Sequence, residues 1–268
     1  MKIVGDYAWE IFMQDQRSAQ KEFLDTFVTH RHAGKIGWLE SIERWSAKHA
    51  QQIIVPNEYL ASMVEQWGIP RGRIQVIYHL ASGLPEVTSS REELHQEQTL
   101  SDQTVFLTVV RAVPWKGIDF LLSVLKDLPD SSILVVIGDG PELPHWKTLA
   151  DTAGLSSRVK FLGRVNHLEI AKWDKIADVF VLASSYEGFP WVVVEAVSAG
   201  LPCLLSDRGG NPEAKKLFPE AVEILPWGDE VAWRSALLRP RPRLVPHSAS
   251  QAMENMTRET IDVLGKFC

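Results

Sequence analysis

Two cations, Arg111 and Lys116, stand in the stretch Arg111-Ala112-Val113-Pro114-Trp115-Lys116-Gly117, directly after the apolar run Val105–Val110 and directly before a helical stretch. A fixed guanidinium, an ammonium and the free amides of a helix start together suit an anion such as a diphosphate. A second cluster, Ser184-Ser185-Tyr186-Glu187-Gly188-Phe189-Pro190, follows the run Val179–Ala183, and Pro190 suits the first turn of a helix. That places the Glu187 carboxylate in a loop and Glu195 in the second helical turn, among Val192, Val193, Val194, Ala196 and Val197. A carboxylate in so apolar a helix needs a partner. The vicinal hydroxyls of a ribose would supply one; a neighbouring Lys or Arg is the competing choice. Gly138-Asp139-Gly140-Pro141 follows Ile133–Ile137. Glycines at such a turn let a ligand approach the backbone, although tight turns use glycine for their own sake. The spacing is not G-x-G-x-x-G, so a nicotinamide dinucleotide is not implied. A fourth loop of this kind, Asp207-Arg208-Gly209-Gly210-Asn211-Pro212-Glu213, follows Pro202–Ser206.

These loops need strands to carry them. Six β-rich runs recur, at Val105–Val110, Ile133–Ile137, Val159–Leu162, Val179–Ala183, Pro202–Ser206 and Val222–Leu225. Most are continuously apolar, as strands covered on both faces are. Helical stretches over Gly117–Leu128, Pro141–Ala153, Leu168–Ala177 and Pro190–Ala199 alternate with them. This rhythm predicts a doubly wound parallel sheet, whose ligands bind at the carboxyl ends of the strands. The first hundred residues hold fewer units: a strand end at Ile3-Val4, a helix over Ile36–Ala50, a strand at Ile53–Val55, a helix capped by Asn57 and stopped by Gly68-Ile69-Pro70, and a strand over Ile74–Tyr78. The polar segment Ser82–Asp102 reads as an interdomain connection, Arg239-Pro240-Arg241-Pro242-Arg243 as an extended tail, and Ser248–Lys266 as a last helix. The expected division is a smaller first α/β domain over residues 1–82, a linker over 83–102, a ligand-binding α/β domain over 103–238, and a tail with the C-terminal helix over 239–268.

Composition narrows the functions. Of 268 residues, 28 are Lys or Arg and 34 Asp or Glu, for a net charge of −6. An acidic chain lacks the basic face that a nucleic acid selects. Two cysteines make neither a disulfide framework nor a zinc site, which points to a reducing, cytoplasmic setting. The apolar runs are far short of the ~20 residues that span a bilayer, and the start lacks signal-peptide design. His30-Arg31-His32 reads as a solvated loop, Cys203 as a small buried apolar residue, and Ser184-Ser185 lacks the elbow of a hydrolase. Trp115 and Trp191 flank the proposed crevice and are expected to stack on a base or sugar, whereas Trp38, Trp45, Trp67 and Trp146 are expected to pack in the interior. Arg239, Arg241 and Arg243 are expected to be solvated, with anionic lipid head groups as a secondary partner.

Arg111…Lys116-Gly117, Gly138-Asp139-Gly140-Pro141, Phe161-Leu162-Gly163 and the Glu-x7-Glu pattern Glu187-Gly188-Phe189-Pro190…Glu195-Ala196 resemble the donor half of the GT-B retaining glycosyltransferases, the GT4 group. The match runs over residues 50–235, and Gly5-Asp6-Tyr7-Ala8-Trp9-Glu10 and Pro56-Asn57-Glu58-Tyr59-Leu60 are similar to the later part of that family's acceptor domain. The resemblance implies a Rossmann-like donor domain and transfer of a sugar from a nucleotide-sugar, with retention of configuration and no metal or other cofactor. Arg111 and Lys116 would hold the diphosphate as it leaves. Glu187 and the backbone of Gly188 and Phe189 would position the sugar, and Glu195 would bind the ribose. Gly138, Arg164 and Val165 would lie along the donor, the last two beside the base. Partners would be the nucleotide-sugar and a saccharide, lipid-linked or small-molecule acceptor, with peripheral membrane contact as a secondary expectation. The family's early strands and glycine-rich loop have no counterpart, and Gly5-Asp6 stands where many members carry a His. Either Asp6 takes the acceptor-side role or that role is vacant, and the chain alone is expected to be inactive or weakly active unless a partner supplies the missing sheet. A nucleotide-sugar-binding module without catalysis is the alternative; an epimerase or phosphorylase is a more distant one.

Overall fold

The computed structural model describes residues 1–15, 22–78, 84–100 and 102–244. The first lobe contains α1 (Tyr7–Gln14), α2 (Leu24–Phe27), α3 (Gly34–His49), β1 (Ile53–Val55), α4 (Glu58–Gln66) and β2 (Ile74–Val76). β1 and β2 pair in parallel, and a single bridge joins Lys2 to Ile54. The strand end expected at Ile3-Val4 is thus reduced to one bridge at the preceding residue. The second lobe contains α5 (Arg91–Glu97), β3 (Thr104–Val109), α6 (Ile118–Lys126), β4 (Ser132–Ile137), α7 (Leu143–Thr152), β5 (Val159–Gly163), α8 (His167–Ile176), β6 (Val179–Leu182), α9 (Trp191–Ser198), β7 (Cys203–Ser206), α10 (Asn211–Leu217), β8 (Val222–Leu225) and α11 (Glu230–Leu237).

The six strands β3–β8 form one parallel sheet in the order β5-β4-β3-β6-β7-β8. The chain enters at the centre, runs outward to β5, returns to β6 beside β3, and runs outward to β8. The order reverses between β3 and β6, and the carboxyl ends of strands at such a reversal are where open α/β sheets bind ligands. Every residue of β4, β6 and β7 is buried, which accounts for their continuous apolar runs. The core cluster takes Leu121, Leu122 and Leu125 from α6 on one side and Trp173 from α8, with Val193 and Val197 from α9, on others.

Several expectations are corrected. The polar segment 83–102 carries α5, opened by a Ser90/Glu93 capping box, and Leu94 and Leu100 enter the second lobe's core. The arginines of the tail are not solvated. Arg239 and Arg241 both pair with Glu223, and Arg243 donates to the carbonyls of Asp174, Ala177 and Ala199, where the ends of α8 and α9 leave oxygens unpaired. His32 does not lie in a solvated loop: its ring stacks on Phe27 at 4.0 Å and reaches Glu40 and Glu22. Trp38 and Trp45 are each 63 % exposed, while Trp67 and Trp146 are buried. The helix expected over Ser248–Lys266 lies outside the described residues.

Candidate active site between the lobes

The site is built on the reversal of the sheet. β3 ends at Val109 and the chain turns through a 3-10 segment, Pro114–Lys116, before Gly117 starts α6. β6 ends at Leu182 and its loop turns back beside that segment, tied to it by Ser185 N donating to Trp115 O at 2.8 Å. This brings Lys116 onto Glu187: Nζ lies 2.7 Å from Oε1 and 2.8 Å from Oε2. Ser184 Oγ donates to the same Oε1 at 2.6 Å. The loop is braced from below, where Asn211 Nδ2 donates to Ser206 Oγ, which donates to Ser184 O. Glu187 is only 9 % exposed, and Lys116 and Ser184 supply its carboxylate with the donors that burial denies it from water.

Arg111, at the end of β3, keeps its side chain 61 % exposed, with Nη1 3.9 Å from Glu10 Oε2 across the lobe junction. Burial raises Glu10, while Arg111 and Lys116 oppose that shift, which places its carboxylate in the field of both cations. The structure thus joins Arg111, Lys116 and Glu187 into one charged group and adds Glu10.

The other expected residues lie around this group in distinct settings. Glu195, half-buried in α9, is raised by burial and lowered by His167; it also acts on Asp174 of α8. Its described electrostatic neighbours are therefore in α8, and neither the ion pair with a Lys or Arg nor a contact with Lys116 is among them. Gly138 adopts φ +128°, and a Cβ there would stand 1.8 Å from Val110 O. Its glycine is needed for close approach of two backbones of the protein itself. Gly188 stands beside the first lobe, where a Cβ would lie 2.7 Å from Val4 O. Phe189 is buried, Arg164 is exposed after β5, and Val165 packs against the core. Asp6 is buried and serves as the N-cap of α1, accepting from Trp9 N at 2.8 Å; burial pushes its pKa up to about 6. Trp115 is buried against Trp9, with ring centroids 5.1 Å apart, and so is packed rather than offered to a ligand; Trp191 is 41 % exposed.

Sequence reasoning missed Glu10, Tyr186 and Glu213. Tyr186 is buried against Trp9 at 4.7 Å, and its Oη has no hydrogen-bond partner among the described residues. Burial, then Glu10 and Asp6, push its phenol well up. The only local signal for Tyr186 was its place next to Glu187. Glu10 and Glu213 act on residues of the other lobe, which no spacing within a lobe reveals.

Residues 90–218 match the family model of glycosyl transferases group 1. An uncharacterised glycosyltransferase of Methanocaldococcus jannaschii is 28 % identical over 204 residues, covering 73 % of this chain and 52 % of that protein. The GDP-mannose-dependent alpha-(1-6)-phosphatidylinositol monomannoside mannosyltransferase of Mycobacterium tuberculosis is 32 % identical over 135 residues, covering 47 % of this chain and 35 % of that protein. Among solved structures, Anabaena HepE in complex with UDP and glucose superposes with a TM-score of 0.66 at 22 % identity, over 75 % of this chain and 56 % of that one. The chain spans about half, or less, of the length of such curated relatives. The sheet order with its reversal, the likeness to solved structures and the match over 90–218 agree: this chain has a GT-B-type fold, and its second lobe belongs to the glycosyl transferases group 1 family.

Proposed function

We propose that the protein transfers a sugar from a nucleoside-diphosphate sugar to an acceptor, with retention of configuration and without a metal ion. The observation that carries this reading is the Lys116–Glu187 pair at the sheet reversal, flanked by Arg111. A diphosphate entering the crevice meets two cations and the start of α6, and can take Lys116 from Glu187 while Ser184 keeps its bond to that carboxylate. Arg111 and Lys116 then hold the charge that develops on the leaving diphosphate, the task a divalent cation performs elsewhere. The bond from the anomeric carbon to the diphosphate breaks, a bond to the acceptor oxygen forms on the same face, and the acceptor's proton passes to the departing diphosphate. Glu187 and the Gly188-Phe189 backbone position the sugar. Glu195, with no Lys or Arg partner among the described residues and His167 as its basic neighbour, is available to ribose hydroxyls. Arg164 and Val165 flank the base. HepE, a similar structure, was solved with UDP and glucose, which supports a nucleotide-sugar donor. The similarity to a phosphatidylinositol monomannoside mannosyltransferase supports a saccharide or lipid-linked acceptor, and the proposed setting of the reaction is the cytoplasm. No helix among the described residues is long and apolar enough to cross a membrane.

The test is release or transfer of radiolabelled sugar from a panel of nucleotide-sugars in EDTA, with Lys116→Ala as control. Turnover that survives EDTA and is lost in the variant is expected. Nucleotide-sugar binding with neither hydrolysis nor transfer would favour the non-catalytic module, and dependence on added Mg²⁺ would contradict the metal-free reading.

A further inference from the structure

The loop that carries Glu187 is gripped from the first lobe, and one carboxylate of the second lobe secures the grip. Glu213, in the first turn of α10, is buried. Its Oε2 accepts from Glu58 N at 2.9 Å and from Tyr78 Oη at 2.8 Å, and its Oε1 accepts from Tyr59 N at 2.7 Å. Glu58 and Tyr59 open α4, whose first amides have no partner within their own helix. Asn57 caps the next amide through Oδ1, 3.0 Å from Leu60 N, and its Nδ2 donates to Gly188 O. The same side chain therefore joins the start of α4 to the Gly188–Phe189 peptide. Tyr78, held by Glu213, sets its ring edge-on to Phe189 at 5.8 Å. From the second lobe, Gly210 N donates to Glu187 O at 2.8 Å. A Cβ on Gly210 would stand 2.0 Å from Gly188 O and 2.2 Å from Asn57 Nδ2, so only glycine lets the two lobes close on this peptide.

We infer that Glu213 is a positioning residue for the donor-sugar loop: through the start of α4, Asn57 and Tyr78 it fixes Glu187-Gly188-Phe189, so that the first lobe serves as a frame for the donor site as well as facing an acceptor. The inference rests on the reading of this loop as the donor-sugar grip. Glu213 itself has no described contact with Arg111, Lys116 or Glu195. Its loss should therefore disturb the step that uses Glu187 and spare the grip on the diphosphate.

Hydrogen exchange of the whole chain, read by mass spectrometry, tests the clamp without reference to activity. Glu213→Ala should raise exchange roughly tenfold in segments 57–60 and 186–190 together, while β4 stays protected. Glu213→Gln, which keeps an acceptor oxygen, should give a smaller rise. Tyr78→Phe, which removes a single hydroxyl and keeps the ring on Phe189, should raise 57–60 and 186–190 slightly; it decides the matter if Glu213→Ala exposes β4 as well. Faster exchange in 57–60 with 186–190 unchanged would overturn the inference. In turnover assays, Glu213→Gln and Tyr78→Phe should lower kcat for donor hydrolysis or transfer while the Kd of the nucleoside diphosphate moves less than about twofold. An equal loss of both, or an unchanged kcat, would count against positioning. If the wild-type chain neither binds nor turns over a nucleotide-sugar, the functional proposal fails, and the exchange data still decide whether Glu213 holds the loop.

Discussion

Lys116 and Glu187 satisfy each other where neither is well hydrated, and each was readable from its place behind a strand. Their mutual distance was not, because 71 residues separate them. Glu10 and Glu213 were not readable at all, since their partners lie across the lobe junction, in Glu213's case up to 155 residues away. A diphosphate bound by Lys116 gains a charge-assisted contact worth about 1.5–3 kcal/mol. Lys116→Ala should therefore weaken nucleoside-diphosphate binding by roughly 10- to 150-fold in isothermal titration. Asp174 offers a separate test. Its two carboxylate oxygens are buried with no hydrogen-bond partner among the described residues, and burial, then Glu195, raises it well above the usual carboxylate range, with Arg243 opposing. Because the folded value lies above the unfolded one, its contribution is fully present below the unfolded pKa and is lost as pH rises toward the folded one. Asp174→Asn should remove that decline, so that its melting temperature exceeds that of the wild type at pH 8 and approaches it near pH 4. A wild-type advantage at pH 8 would show that Asp174 has an ionic partner in the fold.

The strands of the second lobe were readable because burial on both faces imposes continuous apolar runs: β4 and β8 fall where those runs stand, within a residue. Four of the lobe's helices, α6 to α9, were readable from their start and stop signals, each within two residues, whereas α11 was not expected. α5 was hidden because its polar face dominates seven residues, and only Leu94 within it, with Leu100 after it, turns inward. The tail arginines were hidden because their partners are the carbonyls and the Glu223 carboxylate of other elements. Gly138 shows how an element's end can look like a ligand loop: the room a side chain would need is filled by Val110 O. With φ +128° and that contact, Gly138→Ala should cost about 3 kcal/mol in urea unfolding, and an unchanged midpoint would show that the turn can rearrange.

The lobes meet through Trp9, Trp115 and Tyr186, with the buried Asp6 and the half-buried Glu43 nearby. Glu43 accepts from Tyr7 N and Ala8 N, and burial, then Asp6, pushes it up to about 7; Asp6 itself stands at about 6. Both values lie above those of the unfolded chain, so the stability these groups supply is complete at acidic pH and lost as pH rises through 6 to 7. The lobe junction should accordingly exchange amide hydrogens faster at pH 8 than at pH 5.5 after correction for intrinsic rates, and Glu43→Gln should flatten the difference. On the outer face of the first lobe, Trp38 and Trp45 stand exposed, against the expectation of packing, because α3 turns them away from β1 and the junction cluster. The central claim concerns the crevice where the sheet reverses, and calorimetric titration of UDP and GDP in EDTA addresses it most directly. Saturable binding of at least one by the wild type, with Lys116→Ala and Arg111→Ala each markedly weaker, is the predicted result. Binding that is absent from the wild type, or undiminished in both variants, would contradict the account.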